Sequence, residues 1–172
     1  MRRILFLATF LAINSFSLAQ ESSQTKASTG PSVVKIGGAV ATPFSVSLDE
    51  LKKMPRKTVR VENAHAKKTE VYEGVPLDVL LQKAGVPQGE HLRGASMATY
   101  VLVEAADNYH ALFSLAELDS SFQDAEVLLA DTMDGAPLAP DQGPLKLVAP
   151  HDKRPARWVK MVASITIGRA GN

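Results

Sequence analysis

Apolar and polar positions alternate with a period of two in several short runs, and these runs lay out most of the chain. "VVKIGGAV", residues 33–40, reads as a first strand, and its Gly-Gly pair is expected to form a bulge. "TVRV", residues 58–61, alternates like a half-buried strand. "TYVLVEAADNYHALFS", residues 99–114, reads as a hairpin turning at Asp107 and Asn108. "AEVLLAD" is an apolar strand, "DGAPL" turns it and "GPLKLVAP" returns. "VASITIG", residues 162–168, closes the set.

Between the strands the period shifts toward 3.6. In "SLDELKKMP", Ser47 caps a short helix and Glu50, three residues on, completes a capping box. Leu48, Leu51 and Met54 share its inner face, and Pro55 ends it. In "EGVPLDVLLQKAGVP", Pro76 suits the first turn of a helix and Leu77, Leu80, Leu81 and Ala84 form its apolar face. Gly85 suits the left-handed exit, and Pro87 prevents continuation. "SLAEL", residues 114–118, repeats the capping pattern of "SLDEL" as a local solution used twice. Many strands, three short helices and no strict βαβ order predict an α+β domain with mixed or antiparallel β-rich sheets.

The first 32 residues break this pattern. Arg2 and Arg3 precede a ten-residue apolar core, and Ser17-Leu18-Ala19 offers small residues for cleavage. Residues 1–19 therefore read as a secretory signal peptide, too short to span a bilayer. The paired arginines are compatible with twin-arginine export, but the greasy core favours the general secretory route. Residues 20–32 are polar and read as a flexible tether, leaving residues 33–169 as a single domain. The expected location is the periplasm or the exterior, with no stable membrane insertion after cleavage.

The chain has no cysteine, which excludes disulfides, thiolate ligands and cysteine nucleophiles. Without Arg2 and Arg3 the basic count falls from 19 to 17 against 18 acids, a formal charge of −1 that argues against a nucleic-acid partner. The charge is segregated. Residues 52–68 hold seven bases and one acid, residues 100–143 hold nine acids and no Lys or Arg, and residues from 146 onward hold six bases and one acid.

Little of this makes a recognisable catalytic motif. There is no phosphate loop and no G-x-G-x-x-G. "GASMA", residues 94–98, has a strand after the serine where a nucleophile elbow needs one before it, so it reads as a plain loop. The four histidines, His65, His91, His110 and His151, lack metal-site spacing, so no metal site is expected. The carboxylates between Glu104 and Asp141 read as turns and caps. The candidate chemistry lies in "HDKRPARWVK", a loop following a strand. Arg154 and Arg157 offer planar forks for phosphate or carboxylate, and Trp158 suggests that the loop packs down. Arg60, Lys67 and Lys68 are candidates for an opposite wall. The simpler reading of both runs is a solvated surface balancing the acidic segment.

"YEGVPLDVLLQKAGV", "YVLVEAADNYHALFSLAELD", "VLLADTMDGAPL" and "GPLKLVAPHDKRPARWVKMVASITI" occur in that order, and together they resemble the oxidoreductase molybdopterin-binding domain, the fold of the sulfite oxidase catalytic domain. The resemblance covers residues 33–168 and implies a small stand-alone form of an α+β fold with mixed sheets. It implies molybdopterin as cofactor, with His151, Lys153, Arg154, Arg157 and Lys160 near the pterin phosphate. It sets Asn63 and His65 in the stretch where redox-active members carry the molybdenum-ligating cysteine, with Glu62 or Asn63 near its place. Asp107 and Tyr109 match a D-G-Y turn of the family, with Asn108 in place of glycine. The implied function is pterin or anion binding without sulfite-oxidase-type turnover. Two alternatives stay open: an active enzyme with oxygen ligands on the metal, and a module for a protein partner.

Overall fold

The computed structural model describes residues 30–63, 67–124 and 126–171. The expected signal peptide and most of the tether lie outside these residues, as does His65. Among the described residues no helix is long and apolar enough to cross a membrane.

β1 (Val33–Gly38) turns back into β2 (Phe44–Ser47). The first capping box forms as expected at the end of β2. Glu50 N–H donates to Ser47 Oγ (3.3 Å) and Ser47 N–H to Glu50 Oε2 (2.8 Å). The helix it starts, α1 (Leu48–Leu51), is a single turn, shorter than the apolar face of Leu48, Leu51 and Met54 implies. β3 (Lys57–Asn63) extends the alternating "TVRV" at both ends and pairs with β4 (Lys68–Pro76). Pro76 ends β4 and precedes α2 (Leu77–Lys83), so it stands just outside the helix rather than in its first turn. Leu77, Leu80 and Leu81 of α2 are buried, as their spacing predicts.

β5 (Thr99–Ala105) and β6 (His110–Ser114) form the expected hairpin, with Asn108 at φ 66° in its turn. Asn tolerates that left-handed conformation better than other non-glycine residues. The second capping box, Ser114 with Glu117, opens a 3-10 turn rather than an α-helix. β7 (Leu128–Met133), β8 (Ala136–Pro137), β9 (Lys146–Val148) and β10 (Val162–Arg169) follow.

These strands build two five-stranded sheets. The first runs β2-β1-β10-β5-β6 and is mixed, because β1 and β10 pair in parallel while the other neighbours are antiparallel. The second runs β3-β4-β7-β8, with β9 also on β7, and is antiparallel throughout. The α+β class with mixed and antiparallel sheets stands. The Gly-Gly pair makes no bulge: β1 stays in register with β10 through Gly38↔Ile167. A Cβ on Gly38 would fall 2.1 Å from the Ile167 carbonyl oxygen, so the glycine serves a close backbone approach. The register shifts lie instead between Val162 and Ser164 and between Glu73 and Gly74.

The main core joins Val34, Ile36, Val101, Val103, Phe113, Ile165 and Ile167 of the first sheet to α2 and to Val75, Leu129 and Leu147 of the second. The second sheet is covered on its other face too. Tyr72, Ala130, Leu138 and Val148 form a smaller cluster there, with Val59, Val61, Met133 and Trp158 against it. Burial on both faces explains the apolar run Val127–Ala130 that leads into β7, since neither parity meets water there.

Candidate cation-rimmed cleft

The outer face of the second sheet positions the site. Side chains two apart along a strand share a face, so Glu70 and Tyr72 of β4 point the same way as Val59, Val61 and Asn63 of β3. Lys146 pairs with Ala130 and emerges beside Tyr72, while Leu147 turns into the main core. Over this floor arches the segment between Val148 and Val162. Hydrogen bonds from Leu147 N–H to Val159 O (2.8 Å) and from Val162 N–H to Leu145 O (3.1 Å) pin its base. Trp158 folds back beneath it, its indole N–H donating to Ala149 O at 2.8 Å.

Between floor and arch lies a cleft of about 310 Å³. Val61, Glu62 and Asn63 form one wall, Glu70, Tyr72 and Lys146 the floor, and Lys153, Arg154, Pro155 and Trp158 the opposite rim. The floor is a connected polar chain. Asn63 Nδ2 donates to Glu70 Oε1 (2.7 Å), Tyr72 Oη donates to Glu70 Oε2 (2.8 Å), and Lys146 Nζ donates to Tyr72 Oη (3.1 Å) and Gln142 Oε1 (2.8 Å). Tyr72 and Trp158 meet edge to face with centroids 5.7 Å apart, and the Lys146 ammonium sits 4.8 Å and 5.3 Å from their respective centroids.

Burial sets the electrostatics of this floor. It pushes the Lys146 amine down to about 8, helped by the charge of Lys160 and partly opposed by Glu70 and Asp141. Burial, then the hydrogen bond and charge of Glu70, push the Tyr72 phenol well above its ordinary value. At the rim, Lys153 and Arg154 are exposed and have no hydrogen bond or ion pair with any described residue. Two cations left unpaired over a concave polar floor present a surface an anion can neutralise.

The basic loop therefore does not act as one patch. Lys153, Arg154 and Asn63 share the cleft. His151 and Arg157 border a separate hollow of about 180 Å³ with Phe113 and Glu117. Arg157 is committed there: Nε and Nη2 bind Asp152 at 3.0 and 2.6 Å, Nη1 binds Glu117 at 2.9 Å, and the guanidinium lies 4.3 Å from the Phe113 centroid. The Asp152 bond, joined by that of Glu117, raises its pKa further still. Lys160 borders a third hollow with Asp107 and Tyr109, and stands 4.0 Å from Asp141. The expected opposite wall differs as well. Strand parity turns Arg60 away from Val59 and Val61, Lys68 pairs with Asp134 at 3.2 Å, and Val61, Glu62 and Asn63 take the wall instead.

Lys146, Tyr72, Glu70 and Gln142 escape a reading for motifs. One signal for Lys146 was present: a single charge inside the apolar run "PLKLVAP". A lysine there must either leave the strand's buried face or find a polar niche within it.

A two-sheet α+β domain with a cation-rimmed, aromatic-floored cleft is the class of protein these observations define. The chain belongs to the oxidoreductase molybdopterin binding domain family, whose model matches residues 32–171. Among solved structures it is similar to the sulfane dehydrogenase SoxCD from Paracoccus pantotrophus, with 23% identity and a TM-score of 0.62. That match covers 78% of this chain and 37% of the SoxCD chain, so the chain spans little more than a third of its neighbour, and the likeness is one of fold. No curated protein matches the chain.

The family implies molybdopterin, and the residues present fit it in part. Lys153 and Arg154 suit a phosphate, and the Trp158–Tyr72 pair suits the edge of a flat ring. The sequence holds no cysteine to offer a thiolate, and among the described residues no three of His, Asp and Glu gather as a metal-holding group.

Proposed function

We propose that this chain is an exported binding domain that holds an anionic ligand of the pterin class in the cleft, without sulfite-oxidase-type turnover. The observation that carries the reading is the pair Lys153 and Arg154, unpaired among the described residues at the rim of a cleft whose other charged groups are already engaged. The arch gives the phosphate end its cations, and the floor offers hydrogen-bonding groups to the heterocycle. When bound, molybdopterin would supply dithiolene sulfurs to a metal; this chain adds only oxygen and nitrogen donors. The cleavage pattern at residues 17–19 supports export.

The test is binding by protein recovered from an exporting host, with pterin fluorescence and elemental analysis on the same sample. Arg154→Ala is expected to weaken affinity about tenfold, the loss of one charge-assisted contact, or ~1.4 kcal/mol. An unchanged affinity in Arg154→Ala and Lys153→Ala would overturn the reading. A second reading rests on Glu62 and Asn63, which line the cleft where the resemblance puts the metal ligand. Stoichiometric molybdenum with substrate-dependent electron transfer would establish that reading instead.

A further inference from the structure

The amine of Lys146 is the one cation of the cleft that the anion reading leaves without a task. Its residue is 6% exposed, yet it lines the cleft. Its two hydrogen-bond acceptors, Tyr72 Oη and Gln142 Oε1, are neutral, and no carboxylate oxygen lies within 4.0 Å of Nζ among the described residues. A buried ammonium without a counter-ion is the costly form of lysine, and the neutral amine is both cheaper and nucleophilic. The charged groups that act on it are Lys160, which disfavours the ammonium, and Glu70 and Asp141, which favour it.

We propose that Lys146 forms an imine with an aldehyde or ketone whose anionic tail is held by Lys153 and Arg154. This rests on the anion-binding reading of the same cleft and adds a covalent step to it. The nitrogen lone pair adds to the carbonyl carbon, forming the C–N bond, while the carbonyl electrons move to oxygen. The C–O bond then breaks and the oxygen leaves as water, giving C=N with no change of oxidation state. The two protons given up by nitrogen leave with that water. Tyr72, which accepts from Nζ at 3.1 Å and donates to Glu70 at 2.8 Å, is the group placed to pass a proton between nitrogen and oxygen.

Pyridoxal 5′-phosphate is a suitable probe, being a flat aldehyde with a phosphate tail. The full chain is incubated with it, reduced with borohydride, digested and mapped by mass spectrometry. Pyridoxine 5′-phosphate, which has the phosphate but no aldehyde, is titrated in parallel. At pH 8 an amine of pKa about 8 is half neutral, whereas an ordinary lysine is neutral in well under about one molecule in a hundred. Lys146 is therefore expected to be labelled at least about tenfold faster than any other lysine. If pyridoxine 5′-phosphate binds but the label spreads over surface lysines, the imine is overturned and anion binding stands. If the alcohol does not bind and Lys146 is not labelled, both fall.

Discussion

Lys146 and Tyr72 show how much one pair of neighbours decides. Burial moves their pKa values in opposite directions, Lys146 down to about 8 and Tyr72 up. From about pH 8 to about pH 10 the unfolded chain holds a proton on Lys146 that the folded chain has released, so stability rises with pH. Above about pH 10 the unfolded tyrosine ionises first, and its contribution turns downward. In urea titrations across this range, Lys146→Met is expected to lose the rising limb and Tyr72→Phe the falling one. A wild-type profile that coincides with both variants would show that burial does not shift these groups. Neither residue stands out by type. Lys146 betrays itself only as a charge inside an apolar strand, and Tyr72 lies in a stretch that reads as the approach to a helix. Arg157 errs the other way: its fork suits an external anion, but Asp152 is only five residues away and Glu117 is brought in by the fold.

At the scale of elements, the arch gives the edge strand β6 a cover. Arg157 Nη1 reaches the Leu112 carbonyl at 3.5 Å, and the Tyr109 hydroxyl donates to the Ala156 carbonyl. Exposed edges invite pairing with other chains, and a loop fastened across one limits that. Arg157→Ala is expected to lower stability by about 1–2 kcal/mol in urea unfolding, while Arg154→Ala, which breaks no internal contact, stays within about 0.5 kcal/mol of wild type. Equal losses would mean that the Asp152 and Glu117 contacts contribute nothing. The elements that alternate cleanly, β5, β6 and the part of β10 beyond its register shift, were legible because one parity is buried and the other is not. β4 was not, because Glu70, Glu73 and Gly74 interrupt its apolar parity and its end runs into the period of α2. The capping boxes were legible as starts, but not the helix type or length, since a box satisfies the first N–H groups whatever follows.

For the whole molecule, three carboxylates on different segments tie distant parts together. Burial alone would raise all three. Asp131 is held below its ordinary value by the Arg56 fork, at 2.7 and 3.0 Å, and by the Thr132 hydroxyl. Glu117 is held down by the Ser114 N–H and Arg157, and Asp119 by the N–H groups of Gly89 and Ser121. Depressed carboxylate pKa values add stability above the unfolded values, near about 4, and that stability is lost as pH falls through the folded ones. Acid unfolding is expected to begin below about pH 4, and Asp131→Asn to flatten the slope there while lowering stability at neutrality. An acid limb as steep in Asp131→Asn as in wild type would remove Asp131 from this account. The pooling of charge was visible along the chain, and its meaning was not: acids and bases far apart in sequence meet only once both sheets are built.

The parallel pairing of β1 with β10 has a consequence for biogenesis. A polypeptide made from its N-terminus presents the β1–β2 hairpin with one side of β1 unmatched until residues 162–169 leave the ribosome. The first sheet cannot be completed in stages, because its middle strand is β10 and joins β1 to β5. Nascent chains truncated before Val162 are therefore expected to remain clients of a holdase, however much of the second sheet they already carry.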